Sequence, residues 1–362
     1  MTVLVINPGS TSTKLALFNR EGELWRRTVP HPTEERAAGP AEQLEQRRKA
    51  VREVLQERGA GTLEIGAVIG RGGLLHPLAG GVYRVNEAMK EDLRQCRYGS
   101  HASNLGALLA DPLAAELKVP ALIADPVVVD ELDALARYSG LPELPRRSIF
   151  HALNQRAVAR RAARELGRPY EQCALIVAHL GGGVSVGVHL GGRVRDVNNA
   201  LDGDGPFAVE RAGGLPSGDW LRFVLSHRDE PDALQRKLTG RGGVVAYLGT
   251  NDLQSIEEAI DAHEGGRAAP DGLDGRRCLE VLQALCYRIA KEICSLSAAA
   301  APDAVVLTGG LAHSERVVAE ISSRVRFLAP VLVYPGENEM EALAAAAFAA
   351  LEGTQPILEY SA

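Results

Sequence analysis

Residues 3–18 read Val3-Leu4-Val5-Ile6-Asn7-Pro8-Gly9-Ser10-Thr11-Ser12-Thr13-Lys14-Leu15-Ala16-Leu17-Phe18. An apolar, largely β-branched run, then a turn of Asn, Pro, Gly and hydroxyl side chains, then a second apolar run predict a strand, a tight polar turn and a returning strand. The pattern returns from Leu175: Leu175-Ile176-Val177-Ala178-His179-Leu180, then Gly181-Gly182-Gly183, then Val184-Ser185-Val186-Gly187-Val188-His189-Leu190. A third apolar strand, Ala304 to Leu307, runs into Thr308-Gly309-Gly310 and a helix expected from Ser314. Each half of the chain opens on a glycine- or hydroxyl-rich hairpin, which suggests two related halves.

Working outward, 362 residues predict about two domains with cores of their own. Apolar residues make up 46% of the chain, charged residues 24% and aromatics 4%, the composition of a globular protein with an aliphatic core and not of a disordered or fibrous one. Helical periodicity lies between the strands. Leu44, Val51, Val54 and Leu55 mark one face, and Met89, Leu93 and Cys96 mark another after an Asn86 cap. The longest helix is expected from about Asp274 to Ala300, with Leu282, Leu285, Ile289, Ile293 and Leu296 on its stripe and its three cysteines as small core hydrophobes. An alanine-rich closing helix is expected from Glu341 to Leu351, and the proline-rich Leu141–Arg147 stretch is the hinge candidate. Strands alternating with helices give an α/β class.

The net charge of -6 arises from 40 basic and 46 acidic residues without a long like-charged run, which argues against nucleic acid as a partner. Five cysteines without a C-x-x-C pair suggest neither a disulfide framework nor a zinc site, and fit a reducing cytoplasm. With no basic stretch leading into an apolar segment, and no apolar run of about 18 residues, neither export nor a membrane span is expected.

The first hairpin is the strongest chemical signal. Small residues free backbone N–H groups and hydroxyls to approach a polyanion, and Lys14 adds a point charge. It is not a Walker A loop, because the residues after Lys14 alternate like a strand. A turn whose hydroxyls cap their own backbone is the alternative reading. Three glycines between two apolar strands weaken a sheet unless something must come close, and Gly309-Gly310 between a strand and a helix offers a further place for a nucleotide.

Seven stretches carry a resemblance: Asn7 to Lys14, Arg71-Gly72-Gly73, Asp125 to Glu131, Phe150-His151-Ala152-Leu153-Asn154-Gln155, His179 to Ser185, Ser217-Gly218-Asp219 and Glu337-Asn338-Glu339. In content and order they resemble the acetokinase family, within the acetate and sugar kinase, heat-shock 70 and actin superfamily, over essentially the whole chain. The resemblance implies two duplicated actin-like (ribonuclease H-like) domains with an ATP cleft between them. Residues 1–147 plus 338–362 would form the N-terminal domain, and 148–337 the nucleotide-binding one. It implies ATP/ADP and Mg2+ as cofactors. Asn7, Ser10, Ser12 and Lys14 would contact phosphate, as would Gly181, Gly182, Gly183, Gly309 and Gly310. Arg71 would hold the carboxylate and the transferring phosphoryl group, His151 and His179 would steady that group, Asp125 would sit at the reaction centre or on magnesium, and Glu339 would be magnesium-associated. A homodimer or higher homo-oligomer is the expected assembly.

The departures from acetate kinases concern the acyl group and one charge. Where those read Arg-Val-Val-His-Gly-Gly, this chain reads Arg71-Gly72-Gly73-Leu74-Leu75-His76, so a pocket valine becomes Gly73. A leucine before a histidine becomes Ser100 before His101. With Phe150 as a third pocket residue, an enlarged site is expected, and two more buried methylenes at roughly 0.8 kcal/mol each favour a four-carbon acid. The expected reaction is phosphorylation of butanoate by ATP to butanoyl phosphate and ADP, with isobutyrate or propionate as alternative acids and a non-catalytic nucleotide-binding switch as the alternative class. The acetate-kinase motif Thr-Arg-Ser-Gly-Asp becomes Leu215-Pro216-Ser217-Gly218-Asp219, without its arginine. Arg211 is the candidate to restore that charge, an exposed surface residue being the other reading. Asp202 and Asp204 read as a solvated loop more than a cation site.

Overall fold

The computed structural model describes residues 1–32, 40–58, 64–269 and 272–361. Contacts divide the chain into two compact units, Met1–Asp130 with Ala152–Asn154 and Asn338–Ala362, and Glu131–His151 with Gln155–Glu337. The first contains β1 (Thr2–Pro8), β2 (Ser12–Phe18), β3 (Glu23–Pro30), β4 (Ile65–Arg71), β5 (Val82–Arg84) and β6 (Ala121–Ala124). The second contains β7 (Ala174–Leu180), β8 (Val184–Leu190), β9 (Arg193–Val197), β10 (Ala304–Gly309) and β11 (Val331–Pro335), and the last strand, β12 (Ile357–Glu359), belongs to the first unit again.

The sheets run β12-β5-β6-β4-β1-β2-β3 and β11-β10-β7-β8-β9. In both, an antiparallel meander (β1-β2-β3, β7-β8-β9) is extended on its first strand by two parallel strands (β4 and β6, β10 and β11). The halves are one topology used twice, the first with two further strands at its edge. Val3 to Ile6 and Leu175 to Ala178 are wholly buried, as central strands covered on both faces must be.

Helices cover these sheets on apolar stripes of helical spacing. Leu105–Leu117 packs on β4 and β6, and Glu339–Leu351 on β1 and β4. In the second unit Gly275–Leu296 buries Leu282, Leu285, Ile289, Ile293 and Leu296 along with Cys278 and Cys286, so these cysteines are core residues. Burial pushes the Cys286 thiol up to about 12. The cap residues Asn86 and Ser314 accept from Met89 N and Val317 N, as their sequence positions predict. Cys96 departs from expectation, because its helix ends at Arg94 and Cys96 turns back with φ +50°.

The Leu141–Arg147 stretch lies inside the second unit. Arg146 fastens it to Asp204, Asp196, the Ala136 carbonyl and the Val197 carbonyl, a clamp where a hinge was expected. The chain passes between units after Asp130, around Ala152–Asn154 and after Glu337. No helix among the described residues is long and apolar enough to cross a membrane.

Candidate active site

The β1–β2 register sets Asn7 opposite Lys14, and directly opposed residues share a face of the sheet. Asn7 is buried and Lys14 exposed. A Gly9 N–H to Ser12 carbonyl bond of 2.7 Å closes the turn, with Ser10 exposed and Ser12 half-buried. Arg47, only 2% exposed, holds the turn: its Nη1 donates to the Gly9 carbonyl (2.9 Å) and to Thr13 Oγ1 (3.1 Å). Its sequence signal is a charged residue three positions after Leu44 and four before Val51, on the apolar stripe of the Pro40–Glu57 helix.

Arg71 ends β4 and grips Glu339 with both terminal nitrogens, Nη1–Oε2 at 3.1 Å and Nη2–Oε1 at 2.8 Å. Glu339 opens the helix Glu339–Leu351, where the helix dipole favours a carboxylate. Asn7 Nδ2 donates to Glu339 Oε2 at 2.8 Å. Three distant stretches of sequence thus converge on one carboxylate. Asn7 Oδ1 is buried with no hydrogen-bond partner, and such an atom costs about 1–3 kcal/mol. An unpaired carbonyl oxygen beside a carboxylate suits a hard cation. Among the described residues no three His, Cys, Asp or Glu side chains cluster as a metal site. Magnesium, however, commonly takes one or two protein oxygens and fills its octahedron with water and substrate phosphate. Asn7 and Glu339 fit that donor set.

Asp125 follows β6, and the parallel register sets Arg71 beside Ala124, so both residues lie at the carboxyl ends of neighbouring strands. Asp125 is buried with φ +38°, a backbone region that is costly for a non-glycine residue. Its Oδ1 accepts from Gly81 N–H (2.8 Å) while its own N–H donates to the Gly81 carbonyl (3.0 Å). One carboxylate oxygen is therefore committed to the turn entering β5, a structural task beyond the expected one.

Ser100 lines a cavity of about 500 Å³ with Leu93, Cys96, Ala102, Leu105 and Leu108; Ser10, Arg47, His101 and Asn104 supply polar groups. Ser10 is the tip of the first hairpin, so this space, which Gln43, Glu45 and Arg94 also line, adjoins the polar turn. Gly73 does not open the space. A Cβ there would meet Asn104 Cα at 2.6 Å, Asn104 Oδ1 at 2.7 Å and Leu93 Cδ2 at 2.8 Å. The volume vacated by the missing valine is already filled, and Gly73 lies behind the cavity wall that Leu93 and Asn104 form. Phe150 belongs to the other unit, buried immediately before His151.

In the second unit the rings of His151 and His179 stack with centroids 3.8 Å apart and planes 10° apart. His151 precedes the helix Ala152–Glu165, and His179 is the next-to-last residue of β7. Beyond β7 comes the Gly181–Gly183 turn, and Arg211 rests on it: a Cβ at Gly183 would fall on the Arg211 guanidinium, which donates to the Ala200 carbonyl. Burial pulls Arg211 below its ordinary value, while Glu210 and Asp202 push it back up. The charge is thus brought to the glycine turn, and the exposed-residue reading fails. Pro216, in the place of the missing arginine, is exposed before the helix Ser217–Ser226. Asp204 is taken by Arg146 and Asn199 N–H, and Asp202 by Asn199 Nδ2, so this loop is internally bonded.

The parallel β10–β7 register pairs Thr308 with His179. Gly309 has φ +91°, and a Cβ on it would strike the Leu180 carbonyl, so its bareness serves close packing of the two strand ends. Gly310 is different, since a Cβ there would meet nothing within 4 Å. Gly310 leaves open space, and Arg211 fills the place beside Gly183 with positive charge while the Glu210 carboxylate lies against Gly182, at the strand ends where α/β sheets bind ligands.

A twice-used sheet topology with a polar hairpin in each copy defines the duplicated actin-like class, which includes phosphoryl-transfer enzymes. The sequence profile of the Acetokinase family matches residues 141–344. Butyrate kinase 1 of Clostridium acetobutylicum is 45% identical over 99% of both chains, and a probable butyrate kinase of Listeria monocytogenes is 44% identical over the same shares. The chain belongs to the acetokinase family. In fold it is similar to the acetate kinase of Porphyromonas gingivalis (TM-score 0.75, 19% identity, 96% of this chain and 99% of that one). It is also similar to a propionate kinase of Francisella tularensis (TM-score 0.72, 17% identity, 95% and 98%).

Proposed function

We propose that this protein is a carboxylate kinase that transfers the γ-phosphoryl group of ATP to butanoate, giving butanoyl phosphate and ADP, and that it runs the reverse reaction. The observation that carries the reading is the 45% identity to a butyrate kinase over 99% of both chains. A carboxylic acid with a pKa near 4 is ionised at neutral pH, so its oxygen attacks phosphorus without a general base. One carboxylate O–P bond forms and the bond between the γ-phosphorus and the β–γ bridging oxygen breaks, with the electron pair leaving on ADP. Positioning and charge stabilisation are then the whole task of the protein.

The residues divide this task. The Arg71 guanidinium, held by Glu339 through both terminal nitrogens, would offer its remaining N–H groups to an anionic oxygen, and Lys14 and the Ser10 and Ser12 hydroxyls line the same hairpin. His151 and His179 offer ring nitrogens, and Arg211 a guanidinium against the glycine turn. Glu339 and Asn7 Oδ1 would hold magnesium, which when bound neutralises phosphate charge. The acyl chain would enter the cavity of Leu93, Leu105 and Leu108, where Ser10 among the lining residues would keep the carboxylate near the polar turn.

Trapping acyl phosphate with hydroxylamine, in the presence of ATP and magnesium, tests the reading across straight and branched acids of two to six carbons. The expected result is hydroxamate formation with the highest kcat/KM for butanoate. No hydroxamate from any acid would overturn the kinase reading; isobutyrate, propionate or acetate as the best substrate would overturn the assignment of the acid.

A further inference from the structure

A run of buried polar side chains leads from the protein interior to His151. Tyr170 Oη lies 2.7 Å from His189 Nδ1, and His189 Nε2 lies 3.0 Å from Gln155 Oε1. Gln155 Nε2 lies 2.8 Å from Ser185 Oγ, which lies 2.9 Å from His151 Nδ1. Gln155, Ser185 and His189 are 0% exposed. Nothing proposed above uses Tyr170, His189 or Gln155.

The proton on each of these bonds follows from donor and acceptor chemistry. Gln155 Nε2 is also 3.0 Å from the Ser185 main-chain carbonyl, an atom that can only accept, so the amide turns its NH2 to Ser185 and its oxygen to His189. That oxygen can only accept, so His189 carries its proton on Nε2. Burial, with Arg156 and Arg160 nearby, pulls His189 down to about 3, so the ring is neutral at physiological pH. Its Nδ1 therefore accepts from the Tyr170 hydroxyl. At the other end Ser185 Oγ receives a Gln155 N–H, and among the described residues His151 Nδ1 is the one acceptor it reaches. The Ser185 O–H must point there. All the donors face one way, toward His151.

We infer that Tyr170, His189, Gln155 and Ser185 are positioning residues that lock neutral His151 with its proton on Nε2, as a directed donor to the phosphoryl group in transfer. The identity of the receiving group rests on the function proposed above; the tautomer does not. Two further features fit the inference. His179 stacks on the His151 ring and fixes its plane. Gly187 clears the space the amide occupies, since a Cβ there would lie 2.8 Å from Gln155 Oε1. A donor aimed in advance at developing negative charge needs no reorganisation during the reaction, whereas the opposite tautomer would present a lone pair to an anionic oxygen. A neighbouring group that selects a histidine tautomer is a known catalytic device.

The test is Gln155→Glu, which keeps the shape and replaces the NH2 by an acceptor. The Ser185 hydroxyl would then turn to the carboxylate and accept from His151, moving the His151 proton to Nδ1. In 15N-histidine-labelled protein without substrates, long-range 15N–1H spectra should show His151 protonated on Nε2 in the wild type and on Nδ1 in the variant. The variant's kcat should fall by about 10²–10³-fold, with KM for ATP and butanoate unchanged. Ser185→Ala should lose the tautomer preference and Ser185→Thr should restore it. A wild-type His151 protonated on Nδ1 overturns the inference, and this measurement needs no variant to fold. A reversed tautomer with unchanged kcat overturns the catalytic consequence. If the wild type traps no acyl phosphate, the kinase reading fails while the tautomer result stands by itself.

Discussion

Substituting Gly73 by alanine inserts one methyl group where Asn104 Cα, Asn104 Oδ1 and Leu93 Cδ2 already lie at 2.6, 2.7 and 2.8 Å. The backbone of Asn104 cannot yield cheaply, since its Oδ1 accepts from Leu74 N–H (2.8 Å) and its Nδ2 donates to the Gly99 carbonyl (2.9 Å). Overpacking of this kind costs about 1–3 kcal/mol, and loss of the Leu74 bond adds about 1–3 kcal/mol more for the unpaired buried group. Each kcal/mol corresponds to about 2–4 °C in Tm for a unit of this size. The flexible neighbour is Leu93, and its way out is the cavity it lines with Ser100 and Leu105. In the wild type two extra buried methylenes, at roughly 0.8 kcal/mol each, correspond to about 15-fold selectivity for butanoate over acetate. Leu93 displaced by the depth of one methylene reduces this to about 4-fold. Thermal unfolding and the hydroxamate assay with acetate, propionate and butanoate read both numbers. A lower Tm with an unchanged butanoate-to-acetate ratio would refute the acyl assignment of the cavity, and an unchanged Tm would refute the packing around Gly73.

Glu339→Gln removes one charge from the pair with Arg71 and from the proposed cation site, so the magnesium concentration for half-maximal activity should rise about tenfold or more, for a loss of about 1.4 kcal/mol; a magnesium titration showing no shift sinks the assignment. Arg47→Ala leaves the Gly9 carbonyl without its Arg47 donor and Thr13 Oγ1 with His31 Nε2 alone, at about 1–3 kcal/mol, measurable as a lower Tm with KM for ATP raised. His189, lowered from 6.5 to about 3 by burial, binds a proton in the unfolded chain and not in the folded one across that window. Stability should therefore fall as pH drops below 6.5, by about 2 kcal/mol at pH 5, and urea denaturation of His189→Gln should show a shallower loss between pH 8 and 5.

Much of the architecture is legible in local pattern. The runs Val3–Ile6 and Leu175–Leu180 with their turns, the stripe of Gly275–Leu296 and the caps Asn86 and Ser314 all follow from period and cap chemistry, which depend on neighbours a few residues away. The recurrence of one hairpin at residues 3 and 175 already carries the duplication. Leu141–Arg147 was misleading because proline content speaks of backbone stiffness and says nothing of Arg146, whose four partners turn the segment into a clamp.

The sequence by itself determined the α/β class, the doubling, the family and the residue types of the site, because motif order and periodicity are properties of the chain. Tertiary structure decided which of those residues meet. Asn7, Arg71 and Glu339 converge because the parallel β1–β4 pairing and the helix after Asn338 bring together positions 332 and 268 residues apart. Packing likewise decided that Gly73 stands behind the cavity wall, that Gly309 yields to Leu180 while Gly310 faces open space, and that Arg211 supplies charge at the glycine turn. The line from Tyr170 to His151 belongs here too. Its bonds span 19, 30 and 34 residues, and the direction of its protons exists only once burial has removed water as a competing partner.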